Sequence, residues 1–156
     1  MLRLALPIIA TLAAAIIGGL GSVRSGELYA QLGKPAWAPP ASVFGPMWTV
    51  LYVLMAVAAF LVLRRAGWPG ARRAMVLFGT QLALNALWPW LFFAWRLGAV
   101  SSVEIVGLLV ALVLTILAFA RVHRVAAALL LPYLAWVGYA AALTWSVWRR
   151  NPSLLG

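Results

Sequence analysis

MVLFGTQLALNALWPWLFFAW, residues 75–95, contains no charged side chain. At a rise of about 1.5 Å per residue, a helix of this length extends about 30 Å, which matches the hydrocarbon thickness of a bilayer. Apolar and polar residues do not alternate along the run, so a strand of a membrane barrel is excluded. A helix also satisfies its own backbone hydrogen bonds inside lipid. The stretch therefore predicts a membrane-spanning helix.

Four further apolar stretches are also long enough to cross a bilayer. The chain of 156 residues is 66% hydrophobic and 9% charged, which excludes an ordinary soluble domain. A secretion signal at the start is disfavoured because the first apolar run continues to about Leu20. The sequence predicts an all-α integral membrane protein, one domain over residues 1–156 with a bundle of five transmembrane helices. The predicted spans are residues 4–20, 43–63, 75–95, 100–120 and 126–148.

The formal charge of +10 indicates contact with lipid headgroups, and not with nucleic acid, because most of the basic residues cap or connect the spans. With five spans, the N-terminal face of the membrane collects seven basic residues and the opposite face five. Basic residues favour the cytoplasmic side, so we expect a cytoplasmic N-terminus. The first set is Arg3, Arg64, Arg65, Arg72, Arg73, Arg121 and Arg124, and the second is Arg24, Lys34, Arg96, Arg149 and Arg150.

The connection between the first two spans, residues 22–42, is longer than the 2–8 residues usual between helices. It contains a short amphipathic segment, residues 26–32, followed by three prolines within residues 35–40 that stiffen the chain. Two interpretations stay open. The connection is a spacer that places Trp37 at the membrane interface, or it is a lid over the mouth of a pocket.

Tryptophan occurs at depths where membrane helices seldom carry it, since its usual place is the headgroup level. Trp48, Trp88 and Trp136 all fall in the half of the bilayer nearest the long connection. Helical spacing places further residues on the same faces: Tyr52 lies four after Trp48, Asn85 three before Trp88, and Ala140 and Leu143 follow Trp136. We expect three faces to converge on an aromatic cavity beneath residues 22–42. Trp90 must face elsewhere, towards lipid or a second subunit.

Two prolines interrupt the helical hydrogen bonding near these tryptophans. Pro89 is expected to kink the third span and to free the carbonyl of Asn85, and Pro132 to free that of Ala128 within the fifth span. A polar side chain at this depth should face protein or a cavity. Asn85 therefore either lines the cavity or forms a hydrogen bond between helices.

Catalytic machinery is scarce. The chain has no cysteine, which excludes thiolate chemistry and zinc–thiolate sites. It has no aspartate, and its two carboxylates are Glu27 and Glu104; we expect Glu104 at the interface, near the positive end of a helix dipole. His123 stands alone among arginines, so no metal site is expected. Hydrolysis and phosphoryl transfer have no visible residues to perform them.

Small residues at helical spacing predict close packing between helices. Gly79 and Ala83 form such a pair in the third span, and Ala10, Ala14 and Gly18 form a stripe in the first. We expect a homodimer through the third span, by Gly79 and Ala83.

Four ordered motifs resemble the signatures of the tryptophan-rich sensory protein/translocator protein family (TspO/MBR, peripheral-type benzodiazepine receptor family). They cover the chain from the first connection to the fifth span with their spacing kept. The motifs are WAPP at residues 37–40, GPMWTVLY at 45–52, QLALNALWP at 81–89 and PYLAW at 132–136.

The resemblance implies a five-helix bundle, often dimeric, with a pocket for porphyrins such as protoporphyrin IX or haem, and no required cofactor. Some members degrade protoporphyrin in light and oxygen, and the tryptophans tied to that chemistry match Trp48 and Trp136. Sterol binding is in doubt, because Trp145 stands where the sterol motif of animal members has tyrosine. By position, the implied ligand-binding residues are Tyr29, Pro39, Trp48, Tyr52, Asn85, Trp88, Trp136, Ala140 and Leu143.

The leading hypothesis from the sequence is a receptor for tetrapyrroles and similar flat lipophilic ligands in a bacterial cell membrane, in contact with lipid and linked to tetrapyrrole or stress regulation. Stacking on indole rings would hold the ligand, and photo-oxidation would follow binding. One alternative is a transporter of porphyrin or another lipophile. Another is a regulatory scaffold that reports ligand status to a partner.

Overall fold

The structure is a computed structural model that describes residues 2–156, excluding the side chains of Leu2 and Arg3. The predicted interfacial place of the Arg3 side chain therefore lies outside the described part. Within residues 2–156 the regular structure is all helical, which confirms the predicted fold class. The elements are α1 (Leu2–Gly21), α2 (Ser25–Gln31), a 3-10 turn (Ala41–Val43), α3 (Phe44–Pro89), a π-helix (Trp90–Ala94), α4 (Gly98–Ala120), α5 (Arg124–Leu129), α6 (Leu131–Arg150) and α7 (Pro152–Leu155).

The second and third predicted spans are the two helical arms of α3, which meet at the non-helical residue Gly67. The two helical arms extend through residues 64–74, which the predicted spans left out, and only Gly67 among these residues is non-helical. Gly67 adopts φ 64° and ψ 175°, a conformation that L side chains rarely take, and this single residue reverses the chain. Pro69 then starts the second arm, where its missing N–H has no helical partner to lose. The two arms lie side by side, and a hydrogen bond joins them between Tyr52 on the first arm and Asn85 on the second.

Pro89 lies where α-helical backbone passes into the π-helix, and Pro132 lies at the start of α6 rather than inside one long span. Pro89 ends α3, and the chain widens into the π-helix, where the Trp95 N–H bonds the Trp90 carbonyl at 2.8 Å. The fifth predicted span is divided at Leu130 into α5 and α6. Pro132 occupies the first turn of α6, where a residue without an N–H fits.

Helix α1 packs against α3 through small residues. Ala14 and Gly18 of the predicted stripe are buried, but Ala10 is exposed. The buried face of α1 passes through Thr11 and not through Ala10. Trp90, expected to face lipid or a second subunit, packs on α1. Its indole N–H donates to the Ile17 carbonyl at 3.0 Å. The α1 backbone approaches this ring so closely that a side chain at residue 21 would overlap it.

The outer surface of the bundle is apolar, as a lipid-facing surface must be. Val103 is 74% exposed and Ile16 is 64% exposed. The four segments long and apolar enough to cross a bilayer are 4–21, 41–94, 98–120 and 124–150, and the second holds two spans because it reverses at Gly67. The chain is thus an integral, multi-pass membrane protein. Six of its arginines are exposed around the connections at the end opposite residues 22–42: Arg64, Arg65, Arg72, Arg73, Arg121 and Arg124.

Candidate functional site

A cavity of about 270 Å³ lies between α1, both arms of α3 and α6, beneath residues 22–42, hereafter the lid. Its wall is mainly aromatic and aliphatic. The structure brings together eight of the nine residues suggested by the sequence, and all three inner tryptophans are among them. The eight are Tyr29, Trp48, Tyr52, Asn85, Trp88, Trp136, Ala140 and Leu143.

Pro39 is the ninth residue, and it lies outside the cavity wall. It acts on the wall through its backbone, because its carbonyl accepts a hydrogen bond of 2.7 Å from the Tyr29 hydroxyl. Burial, and to a lesser degree the nearby Tyr139 hydroxyl, raise the pKa of Tyr29. The phenol therefore stays protonated and continues to donate to the lid over the physiological pH range.

The lid is fastened to α6 and to the residue that follows it. The Asn151 side chain accepts from the Gly33 N–H at 2.8 Å and donates to the Gly33 carbonyl at 2.9 Å. The Tyr139 hydroxyl donates to the Trp37 carbonyl at 2.8 Å, and the two rings meet edge to face. Of the two interpretations of residues 22–42, these contacts favour the lid.

Helix α2 forms the part of the lid that covers the cavity, where the sequence predicted an amphipathic segment. Leu28 and Tyr29 are its buried residues. The ammonium group of Lys34 closes the end of the helix by donating to the carbonyls of Tyr29 and Leu32 at 2.6 and 3.1 Å. A cation at this place also complements the helix dipole.

Aromatic rings run continuously from the lid into the cavity. Phe44 lies between Tyr29 and Trp136, with centroid distances of 5.4 and 5.9 Å and edge-to-face geometry. Trp48 lies beside Tyr52 at 5.7 Å. Aromatic pairs at such distances stabilise one another beyond the area that they bury. The wall is therefore held in shape before a ligand arrives.

A chain of polar side chains starts at the cavity wall and runs into the bundle. The Tyr52 hydroxyl donates to Asn85 Oδ1 at 2.6 Å, and Asn85 Nδ2 donates to the Tyr133 hydroxyl at 2.8 Å. Tyr133 donates to Gln81 Oε1 at 3.0 Å. Both interpretations of Asn85 are therefore correct, because it lines the cavity and also bonds two other helical segments.

A second cavity of about 680 Å³ opens on the outer surface between α1 and the first arm of α3. Apolar residues line most of it, and it shares Ala15, Trp48 and Tyr52 with the cavity beneath the lid. The side chains of Trp48 and Tyr52 thus separate the inner cavity from a groove that faces lipid.

Several wall residues were not suggested by the sequence, although helical spacing offered a signal for some. Phe44 lies four residues before Trp48, Phe92 four after Trp88 and Val147 four after Leu143, so each continues a face already identified. Helix α1 had no aromatic residue to draw attention to it. Its contribution to the wall consists of Ala15, Gly18 and Gly19, followed by Ser22.

Both carboxyl oxygens of Glu104 are buried and have no hydrogen-bond partner among the described residues, and its place at the membrane interface stays a prediction. The indole nitrogen of Trp88 is also buried and has no hydrogen-bond partner among these residues. Within residues 2–156 no three His, Cys, Asp or Glu side chains are grouped closely enough to hold a metal ion. The chemistry that the cavity offers is stacking, apolar contact and a few directed hydrogen bonds.

Comparisons with known proteins agree with this architecture. The sequence profile of the TspO/MBR family matches residues 6–149. Tryptophan-rich protein TspO of Chlorobaculum tepidum is 42% identical over 126 residues, 80% of this chain and 79% of that protein. The protein of the same name from Archaeoglobus fulgidus is 36% identical over 152 residues, 97% and 98% of the two chains. Human Translocator protein is 40% identical over 126 residues, 79% and 74% of the two chains. The chain belongs to the TspO/MBR family, as its four sequence motifs indicated.

Proposed function

We propose that the protein is a membrane receptor for porphyrins and similar flat lipophilic ligands, which bind in the cavity beneath the lid. The observation that carries the proposal is the convergence of Trp48, Trp88 and Trp136 on one cavity. Flat π-systems stack on indole faces, and an apolar cavity with a few polar groups is the usual form of a small-molecule site. The lid would exclude water after the ligand has entered.

The size of the cavity adds a requirement to this proposal. Pockets for drug-sized ligands typically enclose about 300–1,000 Å³, so the closed cavity of about 270 Å³ is small for a tetrapyrrole. A bound macrocycle would have to lift the lid or extend past Trp48 and Tyr52 into the lipid-facing groove. The groove is large enough to receive part of it, at about 680 Å³.

This groove also favours a second candidate function, the transport of a porphyrin or another lipophile. A cavity that shares its wall with a lipid-facing surface gives a lipophile a path between the two. Relatives carry names that fit either role, Tryptophan-rich sensory protein in Cereibacter sphaeroides and Translocator protein in several mammals. Movement of protoporphyrin into proteoliposomes without its breakdown would support transport over reception.

Light- and oxygen-dependent degradation of the bound porphyrin is the second part of the proposal, and Trp48 and Trp136 are the residues we assign to it. Both line the cavity, so either ring would touch a ligand seated there. Degradation is recognised by loss of the porphyrin Soret absorbance in light and not in darkness. Loss that is equally fast in a Trp48→Ala, Trp136→Ala double variant would contradict the assignment.

Binding itself is tested by titrating the purified protein with protoporphyrin IX and following the quenching of tryptophan fluorescence. We expect the double variant to bind much more weakly than the wild type. Trp145→Ala is the matched control, because Trp145 lies on the same helix as Trp136 but is 55% exposed and absent from the wall. Equal affinity in the double variant and the control would refute the site.

We also propose that the protein lies in a bacterial cell membrane with its N-terminus in the cytoplasm. We propose further that it forms a homodimer through the second arm of α3. Gly79 and Ala83 are exposed on that arm, and a side chain added at residue 79 would meet no atom of the same chain within 4 Å. Small residues on a lipid-facing helix allow close approach of a second helix. Gly79→Leu should shift the protein towards monomer in analytical ultracentrifugation in detergent, and an unchanged dimer would refute this interface.

A further inference from the structure

The polar chain at the cavity wall ends at a methionine, and this end determines the direction of every hydrogen bond in it. Gln81 Nε2 donates to the sulfur of Met55 at 3.9 Å. A thioether sulfur accepts hydrogen bonds and cannot donate. If the amide of Gln81 were reversed, its carbonyl oxygen would face the lone pairs of the sulfur. The nitrogen of Gln81 must therefore face Met55, and its oxygen must face Tyr133.

The remaining orientations follow one from the next. Because the oxygen of Gln81 accepts, Tyr133 donates to it and accepts from Asn85 Nδ2. The amide of Asn85 is thereby fixed with its oxygen towards Tyr52, which donates to it. A proton of Tyr52 turned towards the cavity would leave this buried amide oxygen without its donor, and burial makes such a loss unfavourable.

Tyr52 is the member of this chain that meets the cavity. Tyr133 and Gln81 are fully buried, and Asn85 is only 3% exposed, whereas Tyr52 is partly exposed and lines both the cavity and the groove. Its hydroxyl oxygen lies against the small residues of α1, since a side-chain carbon at residue 18 would stand 3.6 Å from it. With its proton used inside the bundle, this oxygen presents lone pairs to the cavity.

Two other hydroxyls of the cavity wall also donate their protons to the protein and not to the cavity. The Tyr29 hydroxyl donates to the Pro39 carbonyl at 2.7 Å, and the Ser22 hydroxyl donates to the Gly18 carbonyl at 3.0 Å. Each therefore also has lone pairs left to offer a ligand. The wall on the side of α1 and the lid is thus rich in acceptors.

We propose that the Tyr52 hydroxyl accepts a hydrogen bond from the ligand, so that the group seated against it is a donor such as a pyrrole-type N–H. The proposal rests on the proposed function in that it assigns a ligand chemistry to the same cavity. Met55 has the role of a specificity-determining residue that touches no ligand. It keeps the acceptor side of Tyr52 turned to the cavity.

A pair of flat tricyclic compounds tests this directly, because carbazole and dibenzofuran have nearly the same shape and differ in an N–H donor replaced by an oxygen acceptor. Their dissociation constants are measured by equilibrium dialysis of the full-length protein in detergent, with protein-free micelles as the partition blank. The wild type should bind carbazole more tightly by about 2- to 12-fold, the usual net value of one hydrogen bond. Tyr52→Phe should bring the ratio close to one.

Met55→Leu tests whether the direction of the Tyr52 hydrogen bond matters, and not only the presence of the Tyr52 hydroxyl. It conserves volume and leaves Tyr52 in place, but it removes the sulfur that orients Gln81. We expect the preference for carbazole to fall in this variant while overall affinity for the two compounds together is kept. It also provides the test if Tyr52→Phe does not fold.

Three results would overturn the inference: equal binding of the two compounds by the wild type, tighter binding of dibenzofuran, or no binding of carbazole. A ratio that is unchanged in both variants would do so as well. Titration of the wild type with protoporphyrin IX is run in parallel. Failure of that titration alone refutes porphyrin reception and leaves the ratio of the tricycles as a separate result on Tyr52.

Discussion

Replacing Asn151 by alanine should open the lid while leaving the bundle folded. The substitution removes three hydrogen bonds of the amide, two to the backbone of Gly33 and one to the Val147 carbonyl. A hydrogen bond typically contributes about 0.5–1.5 kcal/mol net. The Gly33 backbone is only partly buried, so water replaces some of what is lost. Only the two bonds to Gly33 join the lid, so we expect lid closure to lose about 1 to 2 kcal/mol, the lower half of the range for two bonds.

This free energy corresponds to an increase of about 5- to 30-fold in the population of the open lid. Hydrogen exchange followed by mass spectrometry measures it directly, since the amide of Gly33 and those of α2 exchange when the lid lifts. Tyr139→Phe removes one lid bond and should give an increase of about 2- to 12-fold in the same peptides. Ser153→Ala, at an exposed position two residues from Asn151, is the control without effect.

Two outcomes would refute this account of the lid. Unchanged exchange over residues 25–40 in Asn151→Ala would mean that the amide does not hold the lid. The hydrogen bonds of this amide go to Gly33 and Val147, so an equal rise in exchange over α4 would mean that the substitution weakens the whole fold and not the lid alone.

Three further predictions concern the fold and the titration of the lid. Gly98→Ala should lower the free energy of unfolding by about 1–3 kcal/mol, because a side-chain carbon there would overlap the ring of Trp148, whereas Gly107→Ala on the same helix meets open space and should be neutral or stabilising in thermal melts. Glu104→Gln should change that free energy by less than about 1 kcal/mol, since neither carboxyl oxygen has a partner to lose, and a loss above about 2 kcal/mol would reveal one. The phenolate absorbance of the wild type minus that of Tyr29→Phe should titrate above pH 10.0, because a raised pKa keeps the phenol protonated until the pH passes the folded value; a midpoint at or below 10.0 would contradict this.

Hydropathy and helical spacing were sufficient to predict the bundle and the three tryptophan-bearing faces of the cavity, although fewer than half of the residues that line it were named. Each face that carries Trp48, Trp88 or Trp136 repeats at three or four residues, so its members were grouped correctly without coordinates. The depth of the three tryptophans in the same half of the bilayer then required only the alternation of span directions. These signals are local, and local signals are what a single sequence preserves best.

The features that were missed depend on backbone conformation or on distant contacts. Gly67 reverses the chain at a single residue of positive φ, and glycine in a sequence does not by itself reveal such a conformation. The contact between Gly33 and Asn151 joins residues 118 apart, and neither residue has a pattern that names the other. The place of Trp90 rests on its contact with α1, which joins residues 73 apart and has no local pattern to announce it.

The fastening of the lid from α6 has a consequence for biosynthesis. Gly33 leaves the ribosome 118 residues before Asn151, and the Trp37 carbonyl 102 residues before the Tyr139 hydroxyl. Until Tyr139 and Asn151 have been inserted into the membrane, the nascent lid lacks these hydrogen-bond partners. A chain halted within α5 would therefore expose the part of the cavity that carries Trp48 and Trp88, without a closed lid above it. Membrane proteases would then meet an open form that does not occur in the mature protein.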